Sequence, residues 1–251
     1  QGGRVEVCYS PIDAVKIAEK EPDQEVVFLA IGFETTVAPI ISLVKRATAL
    51  GLKNISILTA FKLVPPALSA LIEDPEVQVN GFLCPAHVSA IIGVEAYRPY
   101  VDTYNVPCVV AGFEPLDILY ALENLIQQLI IGKAELVNQY SRVVKPEGNV
   151  IAQRLMAEYL EEVDAPWRGL GTIPKSGLGL KEEFAFFDAQ KRYGVSCEGG
   201  KTHPGCRCGE VLKGKITPDE CPLFDKACTP ARPFGPCMVS SEGSCAAYYK
   251  Y

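Results

Sequence analysis

The cysteines are the residues of this 251-residue chain best suited to chemistry, and they are unevenly placed. Seven of the ten come after residue 196, and the last six follow one another in steps of 2, 13, 7, 9 and 8 residues. These six are Cys206, Cys208, Cys221, Cys228, Cys237 and Cys245. Large aliphatic side chains are scarce after residue 194, so we expect metal or disulfide bonds, rather than a hydrophobic core, to order this tail.

Three kinds of bonding are open for the six thiols. A disulfide framework suits their density, but the sequence shows no secretory signal and the first part of the chain has the character of a cytosolic protein. Structural zinc usually takes cysteines paired as C-x₂-C, and the tail has none. An iron-sulfur cluster needs four thiolates and tolerates wide spacing, so two thiols would be left over. The pattern favours the cluster, and the spare thiols suggest a dithiol that exchanges electrons with it.

The other candidate site residues lie in the first half of the chain. Glu34, Thr35 and Thr36 stand at a strand-to-helix turn, where backbone amides and hydroxyls can bind an anion or a polar ligand. Ordinary helix capping by either threonine is the alternative. His87 is one of two histidines and could donate a proton or simply begin a helix. We expect the remaining cysteines to be structural thiols: Cys8, Cys84, Cys108 and Cys197.

The elements that must position these residues alternate between strand and helix. The apolar pattern predicts strands over residues 4–8, 25–31, 55–60, 81–83 and 108–110. It predicts helices over residues 36–50, 65–73, 87–96, 115–131, 147–162 and 182–193, with a glycine-rich connection or edge strand over 167–181. A first helix should begin at Pro11, capped by Ser10, with Asp13 completing a capping box. This alternation is typical of parallel sheets covered by helices, which bind ligands where strands end.

A short internal repeat predicts the domain organisation. Ile-Gly-Phe-Glu at residues 31–34 returns 80 residues later as Ala-Gly-Phe-Glu at 111–114, and each run stands between an apolar strand and a helix. Such repetition suggests duplication. The predicted fold class is therefore α/β, with two related parallel-sheet lobes over residues 1–112 and 113–193 and a cysteine-rich iron-sulfur segment over residues 194–251.

Charge and hydropathy exclude several partners. The net charge is -6 and no block of lysine and arginine stands out, which argues against nucleic acid and against an anionic membrane surface. The longest apolar runs, such as residues 26–31, are too short to cross a bilayer. The chain begins with Gln1 rather than methionine, so we expect it to start inside a longer protein. The predicted location is the cytoplasm.

Several runs, in order along the chain, resemble the HypD family of [NiFe]-hydrogenase maturation factors. They are Gly-Phe-Glu-Thr-Thr at 32–36, Pro-Ala-His-Val-Ser at 85–89, Gly-Phe-Glu-Pro-Leu-Asp-Ile-Leu at 112–119, Cys-Arg-Cys-Gly-Glu-Val-Leu at 206–212, Pro-Asp-Glu-Cys-Pro-Leu-Phe at 218–224, Cys-Thr-Pro at 228–230 and the stretch 235–249 around Cys237 and Cys245. The resemblance covers essentially the whole chain.

This resemblance implies an assembly scaffold. Members of the family work with a small HypC-type chaperone and a HypE-type cyanide donor to build an Fe(CN)₂CO unit, which passes to the hydrogenase large subunit. Carried over to this sequence, the family pattern implies that Cys206, Cys221, Cys228 and Cys245 ligate a [4Fe-4S] cluster. It makes Cys208 and Cys237 the redox pair, as in ferredoxin-thioredoxin reductase.

Two departures from the family pattern stand out. The family's N-terminal segment, which carries the cysteine proposed to bind the cargo iron, is missing from this sequence, so this chain alone is not expected to build the iron unit. Ala86 stands where the family usually has glycine. Two rival functions remain: a stand-alone thiol/disulfide reductase and a structural zinc module used for docking.

Overall fold

A computed structural model describes residues 3–195 and 203–251 of the chain. Its first part is a two-stranded parallel sheet with two helices. The Ser10 hydroxyl accepts a hydrogen bond from the Ile12 N–H and the Asp13 carboxylate accepts one from the Ser10 N–H, so the predicted capping box starts α1 (Pro11–Lys20). β1 (Val26–Gly32) leads through α2 (Glu34–Leu50) to its parallel neighbour β2 (Ile55–Phe61). Apolar side chains from all four elements form one core.

A second parallel sheet follows along the chain. Its strands pair in the order β3 (Phe82–Pro85), β4 (Cys108–Ala111) and β5 (Leu136–Asn138). The helices around them are α3 (Val64–Glu73), α4 (Ala86–Ile92), α5 (Arg98–Tyr104) and α6 (Pro115–Ile131), with a 3₁₀ helix over Glu95–Tyr97. Tyr97 and Tyr100 fill the centre of a separate core. The α/β class with parallel sheets is thus confirmed.

An antiparallel hairpin comes next and corrects two predictions. The helix predicted over 147–162 is α7 (Val150–Tyr159), and at Leu160 the chain turns into β6 (Leu160–Trp167), which pairs with β7 (Gly171–Leu180). The ladder and the packing of β7 on α3 and β2 override the helical pattern at its end. The helix predicted over 182–193 is split into a 3₁₀ helix, Glu182–Phe187, and α8 (Ala189–Tyr193). The split falls at Asp188, whose carboxylate caps α8.

Two further predicted elements differ from the structure. Residues 4–8 are not a strand: no strand among the described residues pairs with them, and Val5 and Val7 are 90% and 85% exposed. Alternation of side chains cannot hold a strand without a ladder partner. The helix predicted over 87–96 stops at Ile92 because Gly93 adopts a positive φ of 88°.

The cysteine-rich segment contains only short helices. They are α9 (Cys208–Leu212), a 3₁₀ turn over Pro218–Glu220, α10 (Pro236–Val239) and α11 (Ser244–Lys250). Ion pairs between Lys213 and Asp74 and between Lys215 and Glu76 fasten this segment to the loop after α3. Among the described residues, none of the helices combines the length and the apolar character needed to cross a bilayer.

The turn of the β6–β7 hairpin packs closely against the backbone of the cysteine-rich segment. A Cβ at Gly209, the second residue of α9, would lie 2.2 Å from the carbonyl oxygen of Gly169 in the turn. No side chain fits there without moving one of the two backbones. The hairpin and the cysteine-rich segment are therefore closely apposed.

Candidate functional site

The six cysteines of the tail surround a single small cavity of about 20 Å³. Five of the thiols are buried, and Cys206 is half-buried. The other walls are apolar side chains, including Val211, Leu223, Phe224 and Met238. Although the cysteines are spread over 40 residues of sequence, from Cys206 to Cys245, the fold brings all of the predicted tail cysteines together.

Five of the six thiols are positioned by short local structures. Cys208 begins α9, Cys237 lies in α10 and Cys245 lies in α11. Cys221 follows the 3₁₀ turn, and Cys228 ends a tight loop in which its N–H donates to the Leu223 carbonyl over 2.8 Å. Short helices and turns of this kind are marginal by themselves, and these depend on the packing of the residues around the cavity.

Two of the thiols interact directly. A hydrogen bond from the Cys237 thiol lowers the pKa of Cys208 to about 7, and the same contact, with burial, raises the pKa of Cys237. Burial also raises the pKa of Cys245 to about 11. Cys208 is therefore the member of the hydrogen-bonded pair that ionises first.

The donor set suits an iron-sulfur cluster. In a [4Fe-4S] cluster each of four thiolates binds a different iron, whereas a structural zinc ion needs its ligands to converge on one point. Within residues 3–195 and 203–251, no group of three or more His, Cys, Asp or Glu side chains is arranged to hold a single ion. Thiolates are the ligands that iron-sulfur clusters take, and six thiols border one apolar cavity here.

The Gly-Phe-Glu-Thr-Thr run stands where β1 ends and α2 begins. Glu34 is only 1% exposed; its Oε1 accepts the Val64 N–H over 2.8 Å, and its Oε2 has no hydrogen-bond partner among the described residues. Burial raises the pKa of the Glu34 carboxyl. Phe33 occupies the N-cap position and Thr36 donates to the Phe33 carbonyl over 3.1 Å, so neither Thr35 nor Thr36 caps the helix.

Glu34 also borders a second cavity, which measures about 870 Å³. Residues of α3, α7 and β7 line it. Its walls are mostly apolar and include lysine and glutamate side chains. Among the lining residues are Pro65, Glu73, Met156, Lys175, Leu178 and Lys181. The combination of apolar walls and a few polar groups is typical of ligand cavities.

His87 lies in the first turn of α4, beyond the end of β3, and is exposed. Its ring centroid is 4.4 Å from that of Phe113, which belongs to the run after β4. α4 in turn packs against α2, the helix that begins with Glu34. The run at 85–89 therefore contacts the run at 112–119 directly. It is connected to the run at 32–36 by the packing of α4 on α2.

An ion pair that holds the run at 112–119 in place was not predicted from the sequence. Asp117 in the first turn of α6 accepts two hydrogen bonds from Arg142, at 2.9 and 2.6 Å, and the hydrogen bonds from that guanidinium lower the pKa of Asp117. Arg142 also lies 4.1 Å from the centroid of the Tyr140 ring. Strand β5, which delivers Tyr140 and Arg142, has only three residues and so gives no periodic signal.

The hairpin touches the first run as well. The Trp167 ring lies 6.0 Å from that of Phe33, and its Nε1 donates to the Ser176 Oγ over 2.7 Å. Arg168, next along the turn, lies close enough to Cys208 to favour its thiolate. One hairpin thus borders both the Glu34 turn and the cysteine cavity.

The other cysteines lie away from that cavity. Cys84 and Cys108 are buried in the second core, where the Cys84 thiol donates to the Phe82 carbonyl and the Cys108 thiol to the Val106 carbonyl, and Cys8 packs at the edge of the first core. Cys197 lies outside the described residues. Their assignment as structural thiols stays a prediction.

Comparison with known proteins gives a consistent result. The family HypD, described as "Hydrogenase formation hypA family", matches residues 1–251. The hydrogenase maturation factor HypD of Azotobacter vinelandii is 45% identical over 257 aligned positions, covering all of this chain and 68% of the relative. Its Escherichia coli K12 namesake is 41% identical, with 100% and 68% coverage. A putative hydrogenase expression/formation protein of Methanocaldococcus jannaschii is 42% identical, with 100% and 70% coverage.

Proposed function

Because this chain belongs to the HypD family of hydrogenase maturation factors, we propose that it is part of the scaffold on which a [NiFe]-hydrogenase acquires its iron unit. The cargo is Fe(CN)₂CO. A HypC-type chaperone and a HypE-type cyanide donor are the proposed partners, the hydrogenase large subunit is the final acceptor, and the cytoplasm is the proposed location. The two related lobes, over residues 1–112 and 113–193, are part of this proposal.

The convergence of six thiols on one apolar cavity carries this proposal. Four of them, Cys206, Cys221, Cys228 and Cys245, are proposed to hold a [4Fe-4S] cluster. Such a cluster supplies and accepts single electrons, often at low potential. The surrounding apolar side chains exclude water from the thiolates and so protect them from exchange and oxidation.

Cys208 and Cys237 are the proposed redox pair, and their hydrogen-bonded thiols support that choice. On closing to a disulfide, the two thiols release two electrons and two protons. The electrons would keep the cargo iron in its ferrous state.

A permuted assignment also has an observation in its favour. Cys206 is the one half-buried thiol of the six, and a thiol that exchanges with a partner must be reachable, whereas a cluster ligand can be enclosed. In this version Cys206 pairs with Cys237, and Cys208 becomes a ligand.

The motif runs are proposed to handle the cargo and its ligands. The backbone amide and hydroxyl of Thr35 and the hydroxyl oxygen of Thr36 would bind a polar group next to the buried Glu34 carboxyl, while the Thr36 N–H donates to the Phe33 carbonyl. His87 is exposed and can present a proton toward a cyanide that is being transferred.

Metal analysis of protein purified without oxygen tests the cluster. We expect about four irons and four acid-labile sulfides per chain with broad absorption near 400 nm, and their loss in Cys221→Ala. Cys8→Ala is the matched control and should keep both, because Cys8 lies at the edge of the first core. One zinc without sulfide would instead support the docking module.

Single substitutions of the two contested cysteines separate the assignments. Cys208→Ser should keep the full iron content if Cys208 belongs to the redox pair, while Cys206→Ser should lose it. The reverse pattern supports the permuted assignment. Reduction of a protein disulfide by the isolated chain, with no maturation partner present, would favour the stand-alone reductase.

A further inference from the structure

We propose that Phe113 is a positioning residue that fixes the orientation of the His87 imidazole. This inference rests on the proposed role of His87 as a proton donor. The two rings lie 4.4 Å apart between centroids and are tilted by 37°, which is a close contact between two aromatic rings.

The sheet register brings the two residues together. β3 and β4 are parallel neighbours in which Pro85 stands opposite Ala111. His87 and Phe113 each come two residues beyond that pair, so the turns that follow the strands place them side by side. This placement is at the carboxyl ends of parallel strands, where α/β proteins bind ligands.

An exposed imidazole needs such a contact if it is to hold the single orientation from which it can donate a proton. His87 lies on the surface in the first turn of α4, and no hydrogen bond fixes its ring among the described residues. A free side chain there samples several rotamers. Proton transfer requires one of these rotamers. A contact that holds the ring in that rotamer therefore raises the rate of proton transfer.

Phe113 can restrict the ring because its own turn is rigid. A Cβ at Gly112 would lie 2.3 Å from the Asp117 carboxylate and 2.5 Å from the Tyr140 ring, so the backbone is pressed against both. Asp117 is in turn held by two hydrogen bonds from Arg142. With its backbone held in this way, Phe113 keeps 58% of its surface exposed while it contacts His87.

The molecule contains a matched control. The second histidine, His203, also stacks on a phenylalanine, Phe234, with centroids 4.6 Å apart, but it lies in the cysteine-rich segment. A phenylalanine ring displaces the NMR resonances of an imidazole stacked on it. The two histidines therefore give two separately addressable signals.

The test compares Phe113→Leu with Phe234→Leu in carbon-proton NMR spectra of the imidazoles, with His87→Gln used for assignment. Phe113→Leu should move the His87 resonances toward free-imidazole values and leave those of His203 in place; Phe234→Leu should do the opposite. Phe113→Tyr should preserve the wild-type His87 signals. Unchanged His87 resonances in Phe113→Leu would overturn the inference.

Maturation of a hydrogenase gives the second readout, with the full set of maturation factors and with each substitution made in a full-length HypD-family protein that contains this sequence. Phe113→Leu should slow it by about tenfold to a hundredfold, and Phe113→Tyr should restore it. If His87→Gln abolishes maturation while Phe113→Leu leaves it at the wild-type rate, positioning by Phe113 is wrong and the role of His87 stands. If His87→Gln matures the hydrogenase normally, the proposed role of His87 fails first.

Discussion

Replacing Glu34 by glutamine should change how the stability of the protein depends on pH. The carboxyl is 1% exposed, one of its oxygens accepts the Val64 N–H, and the other has no partner among the described residues. Burial therefore raises its pKa above the ordinary 4.5. Glutamine keeps the acceptor for Val64 and removes the ionisation.

The sign follows from which state loses its proton first. As the pH rises through 4.5, the unfolded chain ionises while the folded carboxyl stays protonated, so the folded state loses stability. The loss continues until the pH passes the raised pKa and is constant above it. It amounts to about 1.4 kcal/mol for each tenfold reduction of the ionisation constant. Below pH 4.5 the carboxyl contributes no such penalty.

Urea denaturation followed by circular dichroism, at intervals from pH 4 to pH 8, measures this difference. The free energy of unfolding of Glu34→Gln should rise relative to wild type across that range. Any cost of leaving the glutamine NH₂ group unpaired lowers the free energy of unfolding equally at every pH, so it does not change the slope against pH. Glu34→Leu should share the altered slope and lose a further ~1–3 kcal/mol, because the Val64 N–H is left without an acceptor. Parallel curves for wild type and Glu34→Gln would refute the reasoning.

Two further substitutions probe the framework. The Asn54 side-chain amide lies 3.0 Å from three backbone carbonyls at the end of α1 and the loop after it, so Asn54→Ala should lower the free energy of unfolding by about 1–3 kcal/mol in the same urea assay. Gly209→Ala should push the cysteine-rich segment off the hairpin and speed hydrogen exchange at residues 203–215. Gly205→Ala, where the nearest atom is 3.4 Å from the new Cβ, is the control and should leave exchange unchanged.

Much of the fold can be predicted where a pattern is local. α1 was predicted by its cap, and α6 over residues 115–131 by its periodicity, because each signal is contained in the element. The exposed residues 4–8 and the missed strand β6 show the opposite case. Pairing is decided by another segment, so alternation at 4–8 has no ladder to join, while Leu160 is drawn into a strand by β7.

The candidate site divides in the same way. The tail cysteines are recognisable in the sequence by their type and clustering, and Glu34 and His87 by their type and their position after apolar runs. The Asp117–Arg142 pair and the contact of Phe113 with His87 depend on the register of strands far apart in sequence. No pattern within either segment encodes that register.

The position of Trp167 gives the protein an internal optical probe. It is the single tryptophan of the chain, it lies beside Phe33, and its indole is hydrogen-bonded to Ser176 within the hairpin whose turn meets Gly209. Indole emission responds to polarity and to nearby groups that quench it. Its fluorescence therefore reports, without any label, on movements of the hairpin that borders both the Glu34 turn and the cysteine cavity.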